Sequence, residues 1–106
     1  MAKYMFQATY TAGGAKGVLK DGGSARRAAI EELVSGMGGT VECFYFAFGG
    51  DDVYVILDLP DHESAAAASM TASAAGATQV RTIVLLTPEQ IDAAAAKSVD
   101  YTPPGG

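Results

Sequence analysis

Tyrosines and acids within apolar segments are the side chains of this chain best suited to bind a ligand or to support chemistry. Asp58 and Glu42 each interrupt an otherwise apolar segment, and a buried carboxylate must be paired or take a raised pKa. Tyrosine hydroxyls are frequent in the same segments, at Tyr4, Tyr10, Tyr45 and Tyr54. Such a cluster suits either a small ligand pocket between sheet and helices or a subunit contact, where tyrosine is also favoured.

Two adjacent arginines add positive charge near the start of a predicted helix. Ser24 is the expected N-cap of that helix, so Arg26 and Arg27 fall close to its positive dipole end, where a cation is disfavoured. A partner would offset this, and a salt bridge within or between chains is the favoured interpretation, with a ligand anion as the alternative. The candidate ligand-binding residues are therefore Tyr4, Tyr45, Tyr54, Asp58 and Arg26.

The remaining reactive groups favour structural roles. His62 is the only histidine and is expected at the surface, in the first turn of a helix, so a zinc site is not predicted. Cys43 lies in mid-strand without a basic neighbour and is expected to behave as a small hydrophobe. The segment 49–52, Gly-Gly-Asp-Asp, joins two strands, whereas a phosphate-binding loop leads into a helix. We predict no metal site, and catalytic residues and cofactors remain unassigned.

Composition indicates a small folded domain. The chain has 106 residues, of which 49% are hydrophobic and 18% charged, and its formal net charge is −5. That length holds one core, and the negative charge argues against the phosphate contacts of nucleic-acid binding. The single cysteine fits a reducing compartment, and no signal peptide or membrane-spanning run is recognisable. We therefore expect one cytoplasmic domain over residues 1–106, without nucleic-acid or membrane partners.

Hydrophobic periodicity and turn residues predict the elements that must position these side chains. Strands are expected at about 4–10, 40–48, 52–59 and 78–86, helices at about 12–20, 25–37 and 62–75, a short helix after Pro88, and a tail over about 101–106. The expected N-caps are Thr11, Ser24, Asp61 and Thr87. This order predicts an α+β fold with a ferredoxin-like βαββαβ antiparallel sheet and an extra C-terminal helix.

Both faces of the predicted sheet are apolar. Strict alternation in the third strand separates the set Val53, Val55, Leu57 and Leu59 from the set Tyr54, Ile56 and Asp58. Alternation in the second strand groups Val41, Cys43, Tyr45 and Ala47 against Phe44, Phe46 and Phe48. The helices of this arrangement cover one face. We therefore expect a second copy to cover the other face, sheet against sheet, in a homodimer or higher oligomer.

Several blocks of the sequence resemble the GYD domain family. They are YTAGGAKGVLKDGGSARRAAIEELVSGMGG, FYFAFGGDDVYVILDLPD, VRTIVLLTPEQID and KSVDYTPPG, which together span most of the chain. Gly49 and Asp52 are similar to the signature Gly and Asp of the family, while Asp51 stands at the signature Tyr. The resemblance implies a small α+β domain like the dimeric α+β barrel proteins, and it implies no established activity.

Three classes of function are compatible with these observations. The first is a self-associating module that binds a small molecule near the sheet. The second is a small enzyme of the dimeric α+β barrel kind, oxygenase-like or isomerase-like, although a fold alone does not define a reaction. The third is a subunit whose role is assembly.

Overall fold

Four strands and four helices follow one another in the order that the sequence predicts. In the computed structural model, which describes residues 1–106, they are β1 (Ala2–Tyr10), α1 (Ala12–Asp21), α2 (Gly23–Gly36), β2 (Thr40–Phe46), β3 (Val53–Leu59), α3 (His62–Ala74), β4 (Thr78–Leu85) and α4 (Pro88–Ala95). The strands form one sheet in the order β2-β3-β1-β4, and every neighbouring pair is antiparallel. The predicted α+β ferredoxin-like fold with an extra C-terminal helix is confirmed.

Side chains at the helix starts explain where three of the helices begin. Thr11 accepts a hydrogen bond from the Gly14 N–H, and Asp61 accepts one from the Ser64 N–H at 2.8 Å. Thr87 and Gln90 form a reciprocal capping box. These bonds satisfy backbone donors that the first helical turn leaves without a partner. The bonds to Ser64 also lower the pKa of Asp61.

The start of α2 differs from the prediction. Its N-cap is Gly22 rather than Ser24, and no side chain caps it. Gly22 has a φ of 87°, and its N–H donates to the Val18 carbonyl at 2.7 Å. The positive φ, which glycine adopts readily, turns the chain from α1 directly into α2, so that Ser24 already lies inside the helix.

The core lies between the sheet and the helices α2 and α3. Along β3 the residues alternate strictly between buried and half-buried, with Val53, Val55, Leu57 and Leu59 on the buried side. Tyr4 and Ala8 of β1, Val34 of α2 and Ala65 of α3 complete the buried cluster. This side is called the helix face below, and the opposite side of the sheet is called the open face.

A β-bulge changes which residues of β2 share a face. Val41 pairs with Leu57, but Cys43 pairs with Ile56, so that Glu42 is an extra residue. The bulge moves Val41 to the helix face and leaves Cys43 on the open face. The predicted grouping of Val41 with Cys43 is therefore wrong.

The open face carries an apolar row that crosses all four strands. Its members, in the order of the strands, are Cys43, Ile56, Met5 and Ile83, which follow one another as register partners. Ile83 is 37% exposed.

No helix of the structure has the length and apolar character needed to cross a membrane.

Candidate functional site

An apolar cleft lies on the helix face between α2 and α3. Fourteen residues line it and twelve of them are hydrophobic, among them Phe6, Phe44, Ile30, Leu33 and Val80. The side of α3 that faces the cleft carries only Ala68 and Ala72. Because alanine side chains end at Cβ, they leave space above the sheet that larger side chains would fill. The cavity itself has a volume of about 50 Å³, and together with the mouth that is open to solvent the empty space is about 540 Å³.

The polar end of the cleft is formed by Arg26 and Tyr10. Both side chains are half-buried and line the cleft. Burial raises the pKa of the Tyr10 hydroxyl, and the nearby Arg26 charge opposes part of that effect. Tyr10 therefore carries its proton at neutral pH and is able to donate a hydrogen bond.

A second, wider groove begins at the same two side chains. It lies between α1 and α2, and its lining includes Gly13, Gly14 and Gly17 of α1 together with Tyr10 and Arg26. The glycines contribute no side chains, which keeps the groove open. Tyr10 and Arg26 therefore lie at the junction of an apolar cleft and a more polar groove.

Tyr4 and His62 form a separate pair on the helix face. The Tyr4 hydroxyl oxygen lies 2.6 Å from His62 Nδ1, and the two rings meet edge to face. Tyr4 is fully buried, and its burial, followed by the charges of Asp61 and Glu63, raises its pKa. The phenol therefore stays protonated at neutral pH. His62 is exposed, as predicted, but no sequence pattern indicated this partner, because the contact depends on the β1–β3 register.

The loop over residues 47–52 is held by its two aspartates. Asp51 is buried, accepts a hydrogen bond from Thr9 Oγ1 at 3.1 Å and forms an ion pair with Arg81. Asp52 accepts one from the Tyr10 N–H at 2.9 Å. Hydrogen-bond donors of β1 and β4 thus bind both carboxylates. These bonds hold the loop against the end of the sheet.

The predicted ligand-binding residues are divided between two faces. Tyr45 and Tyr54 are register partners on the open face, and Asp58 lies on the same face. Tyr4 pairs with Leu57 in register and so lies on the helix face. Of the five predicted residues only Arg26 lines the cleft. One pocket formed by all five is therefore excluded, because alternate residues of a strand point to opposite faces. The tyrosine that accompanies Arg26 is Tyr10.

Glu42 and Asp58 are brought together by a lysine. Lys3 Nζ lies 2.9 Å from Glu42 Oε1 and 3.2 Å from Asp58 Oδ2. The hydrogen bonds and charges of these two acids, with Glu42 first, raise the pKa of Lys3. The acids that interrupt the strands are thus paired at the edge of the open face. They were predicted to need a partner, but Lys3 could not be identified without the strand order.

Comparison with known proteins gives one match. The family model described as GYD domain matches residues 4–95. No curated protein and no solved structure matches the chain.

Proposed function

This chain belongs to the GYD domain family, and from that starting point we propose that it is a self-associating domain that binds a small molecule in the cleft between α2, α3 and the sheet. The observation that carries the proposal is the cleft itself, which stays open inside the hydrophobic layer of one chain. Ligand sites are concave, mostly apolar and carry a few polar groups that orient the ligand. The apolar lining with Arg26 and Tyr10 at one end has that composition.

A pair of matched variants tests the cleft. Ala72 lines the cleft, and Ala66 is exposed on the same helix. We expect native mass spectrometry of the purified protein to show an added mass that disappears on denaturation. Ala72→Leu fills the cleft and should abolish the added mass, whereas Ala66→Leu should retain it. A ligand kept equally by both variants, or wild-type protein without added mass, would contradict a binding role for the cleft.

Self-association is supported by the surface that the helices leave uncovered. Only 13 of 106 residues are buried, and the apolar row of Cys43, Ile56, Met5 and Ile83 faces away from every helix that covers the sheet. A second copy, placed sheet against sheet, would bury that row. The exposed aromatic side chain of Tyr45, which lies on the open face, adds to the surface that such contacts would remove from water.

The Tyr4–His62 pair favours a small enzyme as a second candidate. An exposed imidazole that is oriented by a buried phenol is able to exchange a proton with a substrate. The pair lies on α3 and β1, and its residues do not line the cleft. Turnover of a substrate by the wild-type protein that is lost in His62→Gln, with cleft binding retained, would favour the enzyme over the binding module.

A further inference from the structure

Arg26 differs from the other arginines of the chain in having no acidic partner. The chain has three arginines. Arg27 pairs with Glu31, and Arg81 pairs with Asp51, but Arg26 forms no ion pair. Arg26 is also the least exposed of the three, since it is half-buried while Arg27 and Arg81 are exposed. A half-buried arginine without an acidic partner is a favourable site for a ligand that brings its own carboxylate.

Arg26 lies at the boundary between an apolar surface and a more polar surface. On one side lies the apolar cleft, and on the other lies the groove, whose charged lining consists of Lys20, Asp21 and Arg26 itself. Asp21 forms no ion pair with Arg26. The Tyr10 hydroxyl stands at the same junction and supplies a second donor. A ligand that reaches this junction from the cleft therefore meets two hydrogen-bond donors.

The glycines of α1 support a role for the groove. A glycine inside a helix destabilises it by about 1 kcal/mol relative to alanine. Close packing explains Gly14, because a Cβ there would collide with the Ala77 carbonyl. It does not explain Gly17, where an added Cβ would meet no atom within 4 Å. Gly17 lines the groove together with Arg26, and the absence of a side chain there keeps the groove open.

We infer that the cleft and the groove form one site for an amphipathic carboxylic acid, with the apolar body in the cleft and the carboxylate on Arg26 and Tyr10. This inference rests on the proposed small-molecule-binding function and names the class of ligand. The planar guanidinium presents two parallel N–H donors to a carboxylate, which a lysine does not. The site therefore selects an acid over an alcohol with the same apolar chain.

The test compares octanoate with octanol, which share a chain and differ in the carboxylate. Affinities are measured by the chemical-shift changes of the cleft residues during titration of the full chain. We expect octanoate to bind about tenfold more tightly than octanol, as hydrogen bonds to a charged group permit. Arg26→Met should remove that preference, and Arg27→Met, which deletes the neighbouring exposed arginine, should retain it. Arg26→Lys keeps the charge and should retain part of the preference even if Arg26→Met does not fold.

The outcomes distinguish the ligand class from the binding site. Equal affinity of the wild-type protein for octanoate and octanol would overturn the acid preference. If Ala72→Leu also abolishes the binding of both, the cleft remains as a binding site. A preference that survives in Arg26→Met would also overturn the assignment of the carboxylate to Arg26. Shift changes confined to residues outside the cleft, unaffected by Ala72→Leu, would overturn the cleft as a binding site and the acid preference with it.

Discussion

Asp51 shows how one acid joins a loop to two strands. Its carboxylate belongs to the loop between β2 and β3, accepts a hydrogen bond from Thr9 of β1 and pairs with Arg81 of β4. The carboxylate is buried while most of the arginine side chain is exposed. Because the exposed arginine is hydrated again when the ion pair is lost, the ion pair itself adds little to the free energy of unfolding. The stabilising effect belongs mainly to the bonds that the buried acid accepts.

Replacement of Asp51 should therefore lower stability by a moderate amount. We expect Asp51→Ala to reduce the free energy of unfolding by about 1–2 kcal/mol, measured by urea denaturation. Asp92→Ala is the matched control, because Asp92 is exposed on α4 and should change stability by less than about 0.5 kcal/mol. Equal values for the two variants would show that the loop acid contributes nothing to the sheet.

Single residues of the site were only partly predictable. The sequence identified Arg26 as a cation in need of a partner, and this followed from its place near a helix start. Tyr10 was recognised as one of several tyrosines but was not assigned to the site. Which tyrosine accompanies Arg26 depends on the β1–β4 register and on the path of α2, and neither is encoded in local spacing.

Among the elements, α1 combines one glycine that packing requires with one that it does not. Gly14 is buried against the Ala77 carbonyl, whereas Gly17 is exposed toward the groove. Both lie inside the same helix. Substitutions at these two positions therefore distinguish the low helix propensity of glycine from its role in close packing.

Alanine at these two positions should have opposite effects. Gly17→Ala should raise the free energy of unfolding by about 0.5–1 kcal/mol, because alanine is the better helix former. Gly14→Ala should lower it by about 1–3 kcal/mol, because the added methyl group overpacks the contact with Ala77. Thermal unfolding measures both. A destabilising Gly17→Ala would mean that this residue has a structural role that its surroundings do not reveal.

The elements themselves were predictable to the extent that local chemistry defines them. The N-caps Thr11, Asp61 and Thr87 were predicted because each has an oxygen that reaches the first turn. Ser24 has the same chemistry but was not used, because the turn at Gly22 begins the helix earlier. The bulge at Glu42 was missed because the alternation rule assumes a regular ladder, and an extra residue leaves no compositional mark.

At the scale of the whole molecule, the C-terminal segment stands apart from the sheet. Residues 88–106 are all exposed, and the radius of gyration is 16.8 Å, against about 13 Å for a compact domain of this size. The apolar side chains of Ile91, Val99 and Tyr101 are exposed on this segment. The sequence predicted the helix and the tail, but their separation from the core depends on tertiary contacts that periodicity does not report.

The proposed self-association through the open face is tested by comparing two neighbouring residues of one strand. Ile83 and Val84 are neighbours on β4 and point to opposite faces, and both are partly exposed. Ile83→Lys should produce a monomer in analytical ultracentrifugation, because it places a charge in the apolar row. Val84→Lys adds the same charge on the helix face and should keep the wild-type assembly. A wild-type protein that sediments as a monomer would contradict assembly through this face.

The central position of β1 links the start of the chain to its last strand. Residues 2–8 pair with β3 on one side, and residues 3–10 pair on the other side with β4, which begins at Thr78. Until β4 has been synthesised, the first strand exposes one row of backbone groups and part of its apolar side. The first of the four strands to be synthesised is therefore completed last, and no fragment that ends before β4 contains the finished sheet.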